Sequence, residues 1–259
     1  MTNLNKLWRA FFALSLIAIA IQQLIYGALR PVIMPPSPAG ISGNIVVVWV
    51  ISILLIVASV AIIFGIKTRA VAAYLGAILL LLLLALHIPY GIKTNLYFLG
   101  GWGDAFKIFA YSGGAFIVAS SIPSTLNNGA NDFIEKIAPI GRFFFAITMV
   151  VFGIEHFIYA PFVETLVPAW VPGHVFWTYF AGIALIAAGA GIILNVQLRL
   201  ASNLLGIMIF LWLIMLHIPR AIADPHSGNG NEWTSAFEAL GFSGVAFLLA
   251  AISRQRDKI

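Results

Sequence analysis

Three polar residues in the second half of the chain, Glu155, His156 and Tyr159, have side chains that can bind a ligand or exchange a proton. They lie in an apolar segment, with Glu155 about 20 Å of helical rise beyond Arg142. A carboxyl buried in a membrane is costly and by default marks a functional site. Helical spacing makes Tyr159 a neighbour of both other residues. The sequence predicts a ligand site here, and the alternative is a polar contact that joins helices.

Two histidines occur in a shared motif, Leu-His-Ile-Pro, at His87 and His217. Each lies about 27 Å of helical rise beyond an arginine, Arg69 or Arg199, which corresponds to the outer edge of a bilayer. A symmetric histidine pair could ligate haem or donate a hydrogen bond to a quinone headgroup. The alternative is a structural role in the last helical turn, because the proline that follows favours a helix end. We expect the structural role, and we expect no haem.

Charged residues on that outer side are distributed unequally between the halves of the chain. The second half holds several acids there, whereas the first half holds Asp104 alone. Lys107 and Glu238 occupy equivalent positions with opposite charge. Either the second half keeps a site while the first half is a scaffold, or the charges neutralise each other across the halves. The candidate ligand-binding residues are Glu155, His156, Tyr159, His217, His87, Arg220 and Trp233.

No metal site is predicted. His226, Asp224 and Glu232 are close in sequence, but they belong to a Gly/Asn-rich loop whose spacing matches no rigid ligand set. The chain has no cysteine, which excludes disulfides, dithiol relays and cysteine-ligated clusters. Redox chemistry would therefore require a bound cofactor or a partner protein.

The elements that must position these residues are membrane-spanning helices. Hydrophobic residues make up 61% of the chain and charged residues 9%, which is too apolar for a soluble domain. Backbone in lipid must satisfy its own hydrogen bonds, and the apolar runs lack the alternation of a barrel. We predict eight spans, at about 10–28, 44–65, 70–89, 105–122, 143–160, 175–194, 199–218 and 235–252.

The sequence also contains an internal duplication. Residues 9–26 match 142–159, and Leu-His-Ile-Pro occurs in both halves. Each half has an even number of spans, so both enter the membrane in the same direction. The predicted fold is an all-α integral membrane protein with eight transmembrane helices, arranged as a parallel tandem repeat of two pseudo-symmetric four-helix bundles. The predicted units are 1–122 and 142–259, with a cytoplasmic linker at 123–141.

Two proline-rich connections, 29–40 and 160–174, are predicted to lie flat at the outer interface and to cap the bundles. Basic residues cluster on the opposite side, which places both termini in the cytoplasm by the positive-inside rule. The predicted location is a bacterial-type cytoplasmic (inner) membrane, crossed several times. Basic flanks that face anionic lipid account for the net charge of +5, so no nucleic-acid partner is expected.

The sequence resembles the DoxX-like membrane family, whose unit is a four-helix bundle. The resembling segments are Gly153-Ile-Glu-His-Phe-Ile-Tyr-Ala-Pro, Val167-Pro-Ala-Trp-Val-Pro, Leu216-His-Ile-Pro and Asn231-Glu-Trp-Thr-Ser-Ala-Phe. In the first half the resemblance covers His-Ile-Pro and Trp102-Gly-Asp-Ala-Phe-Lys. Some relatives are membrane subunits of quinone-linked oxidoreductases, including thiosulfate:quinone oxidoreductase. The resemblance carries no catalytic residue set, and the tandem form departs from the single unit.

The expected function is that of a membrane subunit which binds a quinone-like or other amphipathic ligand near the outer face. It would serve a periplasmic or membrane-bound redox partner, and whether it is itself an enzyme is open. One alternative is a transporter of small molecules or lipids that uses the cleft between the bundles. Another is an assembly or scaffold subunit without a ligand. A quinone site requires a closed apolar pocket with a polar end, whereas a transporter requires a path open to both sides.

Overall fold

The computed structural model describes residues 3–36, 44–123, 134 and 136–256, with side chains described to Ser253. Within these residues the chain is helical and contains no β-strand. Seven of its helices are long and apolar enough to cross a membrane. The prediction of an all-α membrane protein is confirmed at this level. Most of the predicted linker at 123–141 lies outside the described residues.

Eight long helices follow one another in the described part of the chain. Seven are the candidate membrane spans, and the other, α4, carries Asp104 and Lys107 near its start and does not qualify by composition. Most of α4 from Ile108 onward is buried by neighbouring helices. The helices are α1 (Asn3–Tyr26), α2 (Ile45–Phe64), α3 (Thr68–Thr94), α4 (Gly103–Ser120), α5 (Gly141–Ile158), α6 (His174–Leu194), α7 (Leu198–Ala223) and α8 (Ser227–Arg256).

Helices α3 and α7 continue through the prolines at which the sequence predicts that they end. In each helix the turn before the proline is π-helical, at Leu83–His87 and at Leu213–His217. Pro89 and Pro219 then lie in the first turn of a further helical segment. A π-turn shifts the hydrogen-bond ladder by one residue, and this accommodates the proline ring and its missing N–H. The predicted helix ends at the two histidines are therefore wrong.

The connections between the helices lie at two ends of the molecule. At one end α2–α3 and α6–α7 are joined by three-residue turns in which Lys67 and Gln197 adopt left-handed backbone conformations. At the other end lie the described parts of four longer connections, around 27–44, 95–102, 159–173 and 224–230. We call this the long-loop end. The last connection includes the first residues of α8, where Gly228, Asn229 and Gly230 are not helical. The two types of connection repeat in the same order in both halves of the chain.

The main helix-to-helix contacts between the two halves are made by α4 and α8. Helix α4 packs against α5, and α8 packs against α1, while within the halves α1 contacts α2, α3 contacts α4, α5 contacts α6 and α7 contacts α8. Glycines allow both crossings, because a Cβ at Gly113 would collide with Phe144 and a Cβ at Gly244 would collide with Phe11. These four residues occupy equivalent places in the halves. Close helix approach at small residues is typical of membrane proteins.

The proline-rich segments after α1 and α5 differ in burial. After α1, Val32 and Ile33 are fully buried in the long-loop end, so this part does not lie flat at a surface as predicted. After α5, two short helices, Ala160–Val163 and Glu164–Leu166, lead to the buried Val167, but Phe162 and Trp170 are 65% and 67% exposed. An interfacial position of the segment after α5 stays a prediction. The remainder of the first segment, residues 37–43, lies outside the described residues.

Candidate functional site

A cavity of about 710 Å³ lies among α4, α5, α6, α7 and α8, towards the long-loop end. Its volume is in the range of sites that bind drug-sized ligands. The wall is mostly apolar, and its aromatic residues come from four of these helices and two connections. They include Phe98, Phe152, Phe162, Trp177, Trp212 and Phe242.

Four of the seven predicted site residues line this cavity together: Glu155, His156, Tyr159 and His217. The first two are contributed by the last turns of α5, and His217 by the π-turn of α7. Helical spacing brings the α5 residues together, whereas His217 joins them only through the packing of α7 against the bundle. The cavity therefore combines an apolar wall with a group of polar side chains.

Within this group, Glu155 has a buried side-chain oxygen, Oε1, without a hydrogen-bond partner among the described residues. The neighbouring His156 directs Nδ1 at the Phe152 carbonyl oxygen, 2.7 Å away. Because a carbonyl oxygen only accepts, Nδ1 carries a proton, and in the neutral ring Nε2 is left as an acceptor. His156 Nδ1 is therefore a donor held by the backbone, whereas the neighbouring Glu155 Oε1 is buried without a partner among the described residues.

An ion pair between the two halves lies at the wall of the cavity. Lys107 Nζ of α4 lies 3.1 Å from Glu238 Oε2 of α8 and 3.4 Å from Asp104 Oδ1. Lys107 and Glu238 both line the cavity, and Glu238 Oε1 is buried without a hydrogen-bond partner. The sequence alternative of charge neutralisation across the halves is confirmed for this pair.

A connection from the first half covers part of the cavity. The Gly100 N–H donates a 3.0 Å hydrogen bond to the Tyr159 hydroxyl, and the Phe98 ring packs against Tyr159 with 5.8 Å between centroids. Phe98 and Gly100 both line the cavity. Residues 95–102 therefore cover part of the cavity, and their contacts with Tyr159 hold them there.

The other three predicted site residues are placed elsewhere. His87 is buried in the first half, where its Nε2 atom lies 3.4 Å from the Ile33 carbonyl oxygen. Arg220 donates two hydrogen bonds to the Glu232 carboxylate, at 2.7 and 3.0 Å. Trp233 stacks on Phe237, one turn along α8. None of the three lines the cavity.

The equivalent positions in the first half hold paired amides in place of an unpaired carboxyl. Gln22 and Gln23 replace Glu155 and His156, and both amides donate and accept hydrogen bonds. Gln22 donates to the Gly230 carbonyl at 2.6 Å and accepts from Thr234 at 2.7 Å. Gln23 donates to Ser52 at 3.0 Å and accepts from the backbone N–H of Arg30 at 3.0 Å, drawing the buried 29–36 segment inward.

Arg30 closes the first half at the long-loop end. Its guanidinium donates to the carbonyl oxygens of Gly228 and Asn229 and to the Asn231 side chain, at 2.9 to 3.3 Å. Gly228, Asn229 and Gly230 all adopt left-handed conformations, which turn these carbonyls toward the arginine. Burial lowers the pKa of Arg30 from its usual value, and Glu238 and Asp104 oppose that shift.

Comparison with known proteins adds no relative. No family model, no curated protein and no solved structure matches this chain significantly. Among the described residues no group of three or more metal-ligating side chains could hold a metal ion. The case for a function therefore depends on the cavity and its side chains.

Sequence reasoning did not assign Lys107 and Glu238 to the site, nor the aromatic residues of α6 and α7. The sequence could have indicated Lys107 and Glu238, because opposite charges at equivalent positions of the two halves favour a contact between them. It could not have indicated Trp177 and Trp212, since aromatic residues are common on both lipid-facing and buried helix faces.

A second, smaller cavity of about 130 Å³ lies toward the opposite end, near Arg142 and Ser253. Along α5 and α8, Phe145, Val245 and Ala246 come between residues that line the large cavity and residues that line the small one, and all three are fully buried.

Proposed function

We propose that this protein binds an amphipathic small molecule, quinone-like in combining a polar head with an apolar body, in the cavity between α4 and α8. The observation that carries the proposal is the buried, unpaired Glu155 oxygen in an otherwise apolar and aromatic cavity. Leaving such an oxygen unpaired costs about 1–3 kcal/mol, and a ligand that donates to it recovers this energy. Apolar pockets with a few converging polar groups are typical of small-molecule sites.

We further propose that all eight long helices span the membrane as two related units, in the manner expected of a duplicated DoxX-like protein. The burial of α4 by protein supports this, because a helix surrounded by other helices tolerates Asp104 and Lys107 more readily than one in lipid. The matching π-turns and the equivalent glycine crossings also support it. With the basic ends of the helices in the cytoplasm, the cavity would lie near the outer face.

In this proposal the protein is a membrane subunit that holds its ligand for a periplasmic or membrane-bound redox protein. The resemblance in sequence supports that role, and the absence of cysteine means that electrons would pass through the ligand or the partner. The alternative role of a transporter requires a path to both sides. The fully buried layer of Phe145, Val245 and Ala246 speaks against such a path.

A pair of substitutions on α6 tests whether the cavity binds a ligand. Ala181 lines the cavity and is 6% exposed, whereas Ile183 on the same helix is 60% exposed, on the outside. Ala181→Phe should place a ring inside the cavity and strongly weaken binding of a decyl-substituted benzoquinone or hydroquinone, measured by calorimetry in detergent. Ile183→Phe is the matched control and should bind normally. Equal binding by both variants would show that the ligand site is elsewhere.

A further inference from the structure

We infer that the cavity selects a ligand whose head donates hydrogen bonds, such as a hydroquinone or a primary amine, over one whose head only accepts them, such as a quinone. This inference rests on the proposed function and adds the chemical class of the headgroup. It follows from a comparison of the acceptor and donor atoms that the cavity wall leaves unused.

The unused atoms on the wall are mainly acceptors. Glu155 Oε1 and Glu238 Oε1 are buried and have no hydrogen-bond partner among the described residues. The Glu238 side chain is only 6% exposed, so water does not readily satisfy it. His156 adds the Nε2 lone pair that remains after Nδ1 donates to the backbone. A head that brings O–H or N–H groups can satisfy these atoms.

Several donors on the same wall are already occupied by backbone carbonyl oxygens. The Trp177 ring N–H donates to Pro172 at 3.1 Å, and the Thr178 hydroxyl donates to His174 at 3.0 Å. Ser235 likewise donates to the carbonyl of the preceding turn of α8, at 3.2 Å. The remaining donors are the hydroxyl proton of Tyr159, the ring of His217 and the third N–H of Lys107, whose other partners are Glu238 and Asp104. The lining atoms that are both buried and unpaired are the two carboxyl oxygens, and these favour a donating head.

The charges around the cavity lead to the same conclusion. Lys107 is held by Glu238 and Asp104, and Arg30 interacts electrostatically with the same two acids. Two cations therefore face two carboxylates, with Lys107 in direct contact, and Lys107 acts on Glu155 only at longer range. In a pocket of low polarity the unpaired Glu155 oxygen attracts a donor.

The magnitude of the preference follows from one buried carboxyl oxygen, that of Glu155, which the described residues leave unpaired. A head that donates to this oxygen should bind roughly ten-fold more tightly than a matched head that cannot. A quinone and its hydroquinone are a suitable pair, because they share ring, tail and size and differ in two hydroxyl hydrogens.

Three probes with the same decyl tail test the inference: a benzoquinone, its hydroquinone and a primary amine, titrated anaerobically into the purified full-length protein by calorimetry. The hydroquinone or the amine should bind at least about ten-fold more tightly than the quinone. If only the amine binds more tightly than the quinone, the cavity prefers a cationic donor. If the amine and the hydroquinone both do, the cavity accepts neutral and cationic donors. Tighter or equal binding of the quinone would overturn the inference.

Substitution of Glu155 links the preference to the proposed atom. Glu155→Gln retains one oxygen and replaces the other with an NH2 donor, so it should reduce the preference to within about three-fold. The unfolding temperature should change little, since an amide occupies the equivalent place at Gln22. Glu164→Gln, an acid outside the cavity lining, is the control and should keep the wild-type preference. An unchanged preference in Glu155→Gln would contradict the assignment. If no probe binds the wild-type protein, the proposed function itself fails.

Discussion

Lys107 and Glu238 occupy equivalent positions in the two halves of the chain, and their side chains form an ion pair of 3.1 Å where α4 meets α8. Under the proposed repeat of two related units, identical residues here would place like charges near each other, whereas Lys107 and Glu238 attract. The pair joins α4 of the first half to α8 of the second half at the wall of the cavity.

Breaking this pair should destabilise the protein strongly. Lys107→Met leaves Glu238 and Asp104 facing each other in a mostly buried place, and removing one partner of a buried pair costs about 3–5 kcal/mol. The swap of Lys107→Glu with Glu238→Lys restores an ion pair but also places a carboxylate beside Asp104, so it should recover part of that loss. Unfolding of the purified variants in detergent measures both effects. A swapped protein no more stable than Lys107→Met would show that the pair stabilises the protein only in its present orientation.

The α5 part of the site was accessible from sequence, and the part contributed by other helices was not. Glu155, His156 and Tyr159 lie within one helical turn, so their proximity follows from spacing alone. Lys107 and Glu238 are brought to the same cavity by the crossing of α4, α5 and α8, which depends on packing. His87 was wrongly included among the candidate site residues, because its equivalence to His217 suggested a shared role. His87 is buried with its Nε2 atom 3.4 Å from the Ile33 carbonyl oxygen, and it does not line the large cavity.

The helix ends at the two prolines were missed for a different reason. Proline usually ends a helix, and the sequence contains no sign that a π-turn compensates for it. Both halves make the same π-turn, at Leu83–His87 and Leu213–His217. Its recurrence means that the feature depends on the shared local sequence and on the packing that both halves have in common.

Arg30 should stabilise the long-loop end. Arg30→Ala removes hydrogen bonds to three residues of the 228–231 turn and leaves their acceptors unpaired, so we expect a loss of about 2–3 kcal/mol. The turn itself should become more accessible, which hydrogen exchange of 224–231 can measure. Arg220→Ala removes a half-exposed pair with Glu232 and should cost less, about 1 kcal/mol. Equal losses in the two variants would indicate that burial of Arg30 contributes nothing.

The glycine crossings give a test of how the halves pack. Gly113→Ala and Gly244→Ala should each separate a pair of helices and cost about 1–3 kcal/mol, because the added methyl meets backbone and Cβ atoms that cannot rotate away. Gly103→Ala is the control, since a Cβ there has nothing within 4 Å. Thermal unfolding in detergent should place the first two variants well below the control. Normal stability of Gly113→Ala and Gly244→Ala would contradict the close approach of α4 to α5 and of α8 to α1.

Tyr159 should control how long a ligand stays in the cavity. Its hydroxyl accepts the Gly100 N–H, and its ring packs on Phe98, so it fastens the 95–102 connection over the cavity. Tyr159→Phe keeps the ring and removes one hydrogen bond of about 1 kcal/mol. The dissociation rate of a bound decyl-hydroquinone should then rise about five-fold, with a smaller change in the association rate. Tyr74→Phe, on an exposed position of α3, is the control and should leave both rates unchanged. A slower or unaltered dissociation in Tyr159→Phe would mean that the 95–102 connection does not retain the ligand, and that the cavity exchanges it by another route.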